Sequence, residues 1–119
     1  MLNWPPSVRV FVSVLPTDLR RSFDSLAALV REVIGQDPLS GHAFVFVNRP
    51  RDRAKILVWD RTGYWLFYKR LEAGVFRFPS SFSSSLELTS AELSLILEGI
   101  DLSGASRQQR YALAAARRV

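Results

Sequence analysis

Residues 42–79 decide the fold, and they read HAFVFVNRPRDRAKILVWDRTGYWLFYKRLEAGVFRFP. Three or four runs rich in β-branched and aromatic residues are separated by short polar breaks at 48–53, 61–63 and 72–74. Such runs, divided by turn residues, are typical of antiparallel strands joined by tight connections. The stretch therefore predicts an antiparallel meander at the centre of the fold.

The breaks have the composition of turns. The second turn is expected to take a positive φ at Gly63. Gly74 is expected to allow a tight reversal in the third turn in the same way. The first break places three arginines around Pro50 and Asp52, with a lysine just inside the next run. A hairpin there would project a cationic tip, formed by Arg49, Arg51, Arg53 and Lys55.

Alternation along the runs predicts a sheet that is apolar on both faces. Ile56 and Val58 share one face of their run, while Leu57 and Trp59 share the other. Both faces then need cover, because an open one would be a large apolar patch. We expect a helix on one face and a partner, such as a second copy in a homodimer, on the other. The aromatic rings are expected to be mostly core: Phe44, Phe46, Trp59, Trp65 and Phe67.

The rest of the chain supplies one more strand and two helices. A strand is predicted over residues 8–14, and apolar residues at helical spacing predict a main helix over 23–34 that ends at Gly35. The serine-rich segment 80–85 is expected to be a mobile linker. Residues 89–92 match a capping box, which predicts a short helix that begins near Ser90 and stops around Gly99.

These elements predict an α+β fold: a four- or five-stranded antiparallel meander sheet with one main helix packed on a face and a short C-terminal helix. At 119 residues the chain fits a single domain. We assign it to residues 1–101, and residues 102–119 to a basic, flexible tail.

Composition excludes several kinds of chemistry. The chain has no cysteine and one histidine, His42, so neither a thiolate nor a histidine zinc site is available. No phosphate-loop, dinucleotide or serine-hydrolase motif occurs, and the carboxylates are scattered among arginines. We therefore expect no enzyme activity, no cofactor and no metal. No apolar run reaches the length of a membrane helix and the N-terminus does not resemble a secretion signal, so a cytoplasmic protein is expected.

The positive charge is concentrated in two regions. Residues 43–79 contain eight basic and three acidic residues, residues 80–106 contain only acidic ones, and residues 107–119 only basic ones. Arginine binds phosphate with two parallel hydrogen bonds, so a polyanionic partner is reasonable. The alternative is that these arginines solvate strand edges and prevent aggregation.

Several stretches, in order and at matching spacing, resemble one protein family. They are residues 18–30 (DLRRSFDSLAALV), 37–46 (DPLSGHAFVF), 48–57 (NRPRDRAKIL), 59–60 (WD) and 68–72 (YKRLE), with Gly63, Gly74 and Phe76. From about Val8 to Asp101 the chain is similar to the TnpB accessory proteins of bacterial insertion sequences of family sixty-six, the product of the second reading frame. It departs from the family pattern at Leu19, Ser22, Ser25 and Pro50.

The resemblance implies an element-encoded protein that is needed for transposition beside a separate DDE-type transposase, and that has no established catalytic activity. The residues themselves supply a candidate mechanism, which is binding of element-end DNA by the basic hairpin. The expected contact residues are Arg49, Arg51, Arg53, Lys55, Lys69 and Arg70. The alternative is a protein–protein adaptor, which docks on the transposase or self-associates through its second apolar face and the stripe 93–100.

Overall fold

The computed structural model describes residues 4–104 and contains a five-stranded sheet flanked by helices. In chain order the elements are β1 (Arg9–Ser13), α1 (Phe23–Leu29) with a π-helical continuation (Val30–Ile34), β2 (Ala43–Val47), β3 (Arg53–Trp59), β4 (Tyr64–Arg70), β5 (Ser85–Thr89) and α2 (Ser90–Leu97). The strand order across the sheet is β4-β3-β2-β1-β5. The predicted α+β class is confirmed.

The predicted meander is confirmed for β2, β3 and β4, whose two pairings are antiparallel. The expectation of a wholly antiparallel sheet is wrong at β1, which runs parallel to β2 with Val10 opposite Ala43. The reason is α1, which lies between these two strands in the chain. A helical crossover returns the chain to the end of the sheet from which it started, so the next strand runs in the same direction.

The fifth strand comes from a segment that was not predicted to join the sheet. β5 pairs with β1 in antiparallel register, from Arg9 opposite Thr89 to Ser13 opposite Ser85. The serine run before it, predicted to be a linker, makes specific hydrogen bonds: the Ser84 carbonyl accepts the Val14 N–H at 3.1 Å, and its hydroxyl donates to the Val33 carbonyl at 3.0 Å. These bonds bring the end of the run to the sheet.

Each face of the sheet is covered by its own helix. On the α1 face, Phe11, Phe44 and Leu57 pack against Leu26 and Val30. On the opposite α2 face, the strand side chains that face away from α1 pack against the second helix; they include Val10, Val12, Val45 and Ile56, with Leu93 and Ile96 from α2. The second face is thus covered mainly by the chain itself, and its cover includes the buried Phe76 and Leu102.

Both predicted helix boundaries carry the expected signals. Gly35 ends the first helix with a left-handed φ of 75°, and its N–H donates to the Val30 carbonyl at 2.8 Å. Thr89 caps α2 in a full capping box with Glu92. The packed region includes Leu102, which is fully buried one residue past the predicted boundary. The tail arginines at 107, 110, 117 and 118 lie outside the described residues. Within residues 4–104, no helix has the length and apolarity needed to span a bilayer.

Candidate nucleic-acid interface

The hairpin between β2 and β3 is organised by the side chain of Asn48. Its Oδ1 accepts the backbone N–H of Arg53 at 3.1 Å, and its Nδ2 donates to Asp52 Oδ1 at 2.7 Å. The Asn48 carbonyl accepts the N–H of Arg51 at 3.1 Å. Arg51 has a φ of 64°, a left-handed conformation that is uncommon for a residue other than glycine. Local side-chain bonds therefore define the shape of the tip.

A second chain segment ties this tip to the core. The Phe76 N–H donates to the Arg51 carbonyl at 2.7 Å, and the Leu71 N–H donates to the Asp52 carbonyl at 2.7 Å. Phe76 is fully buried, so its backbone is anchored by the packing of its ring. The break at 72–74, which was predicted to be another hairpin turn, is instead followed by a segment without regular secondary structure that supports the basic hairpin.

The guanidinium groups of the hairpin have no acidic partner among residues 4–104. The ion pairs of that region are Arg9–Glu87, Arg20–Asp18, Arg70–Glu72 and Arg77–Asp101. The one carboxylate of the hairpin, Asp52, is held by Asn48. The three arginines are exposed, so the tip presents concentrated positive charge to solvent: Arg49, Arg51 and Arg53.

The charged surface continues from the hairpin onto the α1 face of β4. Arg53 is directly opposite Arg70 in the β3–β4 register. Like charges in such a cross-strand pair repel, and Arg70 is partly compensated by Glu72 at 2.9 Å. Together with the exposed ring of Tyr68, these residues line a shallow depression of about 400 Å³. A bound anion would relieve the remaining repulsion.

The two predicted lysines are positioned differently from the arginines. Lys55 is 8% exposed, and its Nζ donates to the Arg21 carbonyl at 2.8 Å and lies 5.0 Å from the centre of the Tyr68 ring. Lys69 is on the α2 face, where its Nζ donates to the carbonyl of Leu97 at 2.6 Å. The structure therefore brings Arg53 and Arg70 together beside the hairpin tip and directs both lysine amino groups toward backbone carbonyls.

Two residues that were not predicted to take part belong to this surface. Arg21 is exposed, its carbonyl is the acceptor for Lys55, and its guanidinium donates to Ser25 Oγ at 2.8 Å. Tyr68 is 55% exposed between the basic side chains. Alternation could have identified Tyr68, because it shares its face with Arg70 two positions later.

The carboxylate of Asp60 has structural partners. Asp60 accepts hydrogen bonds from Thr62, Gly63 and the Trp65 indole, the last at 2.6 Å. These bonds, first of all the one from the Thr62 backbone, lower the pKa of Asp60. The positive φ of this turn, 83°, is at Arg61 and not at Gly63 as predicted, because the Asp60 side chain shapes the turn. Within residues 4–104 there is no group of three or more His, Cys, Asp or Glu residues that could hold a metal ion.

The five aromatic rings that were predicted to be core are buried to different extents. Phe44 and Phe46 are fully buried, and Trp59 and Phe67 are half-buried. Trp65 is the exception at 57% exposed. A continuous aromatic platform for stacked bases is therefore not formed by these five rings.

Comparison with known proteins gives a family for this fold and surface. A model described as "IS66 Orf2 like protein" matches residues 8–107. Two relatives from Sinorhizobium fredii are the uncharacterized protein y4hO, 41% identical over 85% of this chain and 88% of its own length, and the uncharacterized protein y4jC, 36% identical over 91% and 92%. No solved structure matches. The match spans most of the fold, including the basic hairpin, and the chain therefore belongs to the IS66 Orf2-like family, whose members are associated with transposition.

Proposed function

We propose that this protein is a non-catalytic accessory factor for transposition of its insertion sequence, and that it binds the DNA backbone through the arginines of the β2–β3 hairpin. The observation that supports this is the arrangement of the tip. Three exposed guanidiniums without acidic partners in the described region project from a hairpin whose own carboxylate is bonded to Asn48. Family membership supplies the context of transposition.

The hairpin is suited to phosphate binding because its backbone is already ordered. Four backbone bonds hold the tip, two of them from the 71–76 segment. Binding then orders only the arginine side chains, which limits the entropic cost of association. Arg53 lies between the tip and the side chains of Arg70 and Tyr68. A bound DNA strand would therefore run from the tip toward the α1 face of β4.

The partners that follow are element-end DNA and the element-encoded transposase, and the protein would meet them in the cytoplasm, where bacterial DNA is located. Phosphate contacts carry little sequence information, so specificity would be weak unless Arg51 or Arg53 reaches a guanine edge in the major groove. The role of the protein is then to hold DNA for a reaction that the transposase catalyses.

The test is a salt titration of DNA binding by two matched triple variants. Replacing Arg49, Arg51 and Arg53 by Ala should weaken binding and lower the log–log salt slope by about 2.7, which is roughly 0.9 for each phosphate that is no longer neutralised. The control removes the same charge at the other end of the sheet. It replaces Arg9, Arg31 and Arg61 by Ala and should change binding far less.

Equal weakening of binding in both triple variants would indicate a response to net charge alone and would contradict the assignment to the hairpin. Absence of binding by the parent protein at low salt would favour the adaptor function. An exposed Trp65 beside an apolar groove is the observation that supports that alternative.

A further inference from the structure

β4 is an edge strand of the sheet, and it is well suited to further pairing. It is seven residues long, pairs with β3 over its full length without a bulge, and contains no proline. The opposite edge strand, β5, is five residues long and follows the serine run. Long regular edges readily accept another strand.

The hydrogen bonds at the two ends of β4 show which of its backbone groups are open. The Leu71 N–H donates to Asp52 and the Asp60 N–H donates to Gly63, so residues 63 and 71 form bonded pairs with the β3 side. Bonded pairs alternate in an antiparallel ladder, so the odd positions of β4 bond to β3. The even positions, from 64 to 70, direct their N–H and C=O groups outward.

The α2 face of β4 carries both a protruding ring and a groove. Trp65 is 57% exposed, and its indole is held in place by Asp60 and by stacking on Phe67 with centroids 6.1 Å apart. Further along the strand, an apolar groove of about 300 Å³ opens because the small Ala54 is the neighbour of Lys69. The groove is lined by Ala54, Ile56, Phe67, Tyr68, Lys69, Leu97 and Glu98.

We propose that β4 pairs in antiparallel fashion with β4 of a second copy, about a two-fold axis at Phe67, so that Trp65 of each copy lies over the apolar groove of the other. This register pairs every residue of the strand. It sets Trp65 opposite Lys69 of the second copy on the α2 face, and Tyr64 opposite Arg70 on the α1 face.

A second copy fits this edge because the strand is complementary to itself. Two aromatic residues, Tyr64 and Trp65, are at the start of the strand, and two cations, Lys69 and Arg70, are at its end. Antiparallel pairing in this register places each cation opposite an aromatic ring, an arrangement that is attractive. A register centred on Lys69 would place like charges opposite one another. The charges that protect the edge from random pairing therefore favour one specific register.

The dimer has a consequence for the surface described above. Both α1 faces lie on the same side of the joined sheet, since a two-fold axis in this register is perpendicular to the sheet. Two copies of the Arg53 and Arg70 surface would then flank the axis. The proposal of a dimer is based on the geometry of β4 and does not depend on whether those arginines bind DNA.

The first test is sedimentation of the full chain over about 1–100 μM, the range in which small interfaces associate. The parent should be dimeric at the upper end of this range. Trp65→Lys places a cation opposite Lys69 and should raise the dissociation constant by at least about tenfold, since a buried Trp is a frequent hot spot. The matched control is Phe82→Lys, which alters a fully exposed ring outside β4 and should leave dimerisation unchanged.

The second test determines the register by disulfide cross-linking. The introduced cysteine is the only one available for cross-linking, because the sequence contains none. In the proposed register, residue 67 faces its own copy as a non-hydrogen-bonded pair with Cα atoms about 4.5 Å apart, within disulfide range. Oxidation should therefore cross-link Phe67→Cys. Trp65→Cys is the control, because residue 65 and its copy are offset by about 13 Å along the strand and should not cross-link.

A parent protein that is monomeric throughout the concentration range would overturn the proposal and leave the edge to a strand of another protein. Equal cross-linking of Phe67→Cys and Trp65→Cys, or of the latter alone, would overturn the register. If Phe67→Cys does not fold, the comparison of Trp65→Lys with Phe82→Lys still decides whether the edge forms the dimer.

Discussion

The side-chain amide of Asn48 donates to Asp52 Oδ1 at 2.7 Å across the tip of the β2–β3 hairpin, and it thereby holds the only acid of the tip away from the neighbouring arginines. An aspartate in a run such as Arg-Asp-Arg would be expected to pair with a guanidinium. Here the carboxylate is part of the turn, and within residues 4–104 no ion pair includes Arg51 or Arg53. The acid shapes the turn but still lowers its positive potential.

Asp52→Asn should therefore strengthen DNA binding without unfolding the hairpin. The amide oxygen of asparagine can still accept from Asn48, while the negative charge is removed. We expect a gain in affinity at low salt that shrinks as salt increases, because added ions screen the charge that was removed. Fluorescence anisotropy with labelled duplex DNA measures this. Asp24→Asn in α1 gives the same change in net charge away from the tip, and an equal gain there would contradict a local effect.

A substitution at Lys55 tests whether this cation stabilises the fold or contacts DNA. Lys55→Met keeps an unbranched apolar stem but removes the amino group and leaves the Arg21 carbonyl without its donor, which should destabilise the fold by about 1–2 kcal/mol. Thermal unfolding measures this destabilisation. DNA affinity at 25 °C should change less than about twofold, because the amino group is already engaged within the protein. The opposite pattern is expected for Arg53→Met, and a large decrease in affinity in Lys55→Met would restore the lysine to the contact surface.

The bond between Asp60 and the Trp65 indole predicts a spectroscopic change in acid. Hydrogen bonds keep the pKa of Asp60 below its ordinary 3.8 in the folded protein. The stabilisation is thus fully present above that ordinary value and is lost as pH falls through the lower folded pKa. Trp emission should change in this acid window, and the step should be absent in Asp60→Asn. A step centred above pH 3.8 would be inconsistent with this bond.

No cutting or joining of DNA is expected when the purified protein is incubated with Mg²⁺ or Mn²⁺. Asp60 and Glu72 are at opposite ends of β4, separated by about 20 Å of strand. Two-metal catalysis requires carboxylates that converge on ions roughly 4 Å apart. Incubation of supercoiled plasmid followed by electrophoresis tests this. Metal-dependent cleavage that disappears in Asp60→Asn would show that the carboxylate has a catalytic role.

The parts of the fold that the sequence predicted are those with local signals. The Gly35 stop, the capping box of Thr89 and Glu92, and the three meander strands depend on residues close together in the chain. The pairing of β1 with β5 depends on residues far apart in the chain, as in the ion pair of Arg9 with Glu87. Nothing local in the serine-rich approach to β5 indicates that partner.

The same distinction applies to the candidate site. The sequence located the basic hairpin, because its arginines are close together in one turn. It did not indicate which cations are engaged within the fold, since Lys55 finds its acceptor 34 residues away and Lys69 finds its acceptor 28 residues away. The alternation of residues along a strand predicts the face on which a side chain lies, but not which backbone carbonyl oxygen it reaches. That atom depends on how α1 and α2 pack.

The position of β1 inside the sheet affects how the protein is made. β1 is synthesised early, yet its outer neighbour β5 ends at Thr89, and the buried Leu102 follows later still. A sheet that depends on such distant pairings closes slowly, and a nascent chain on the ribosome cannot close it until β5 has emerged. A chain truncated before Ser85 would leave β1 with an open edge and the α2 face bare. We expect such a chain to be removed by proteases and not to compete with the intact protein.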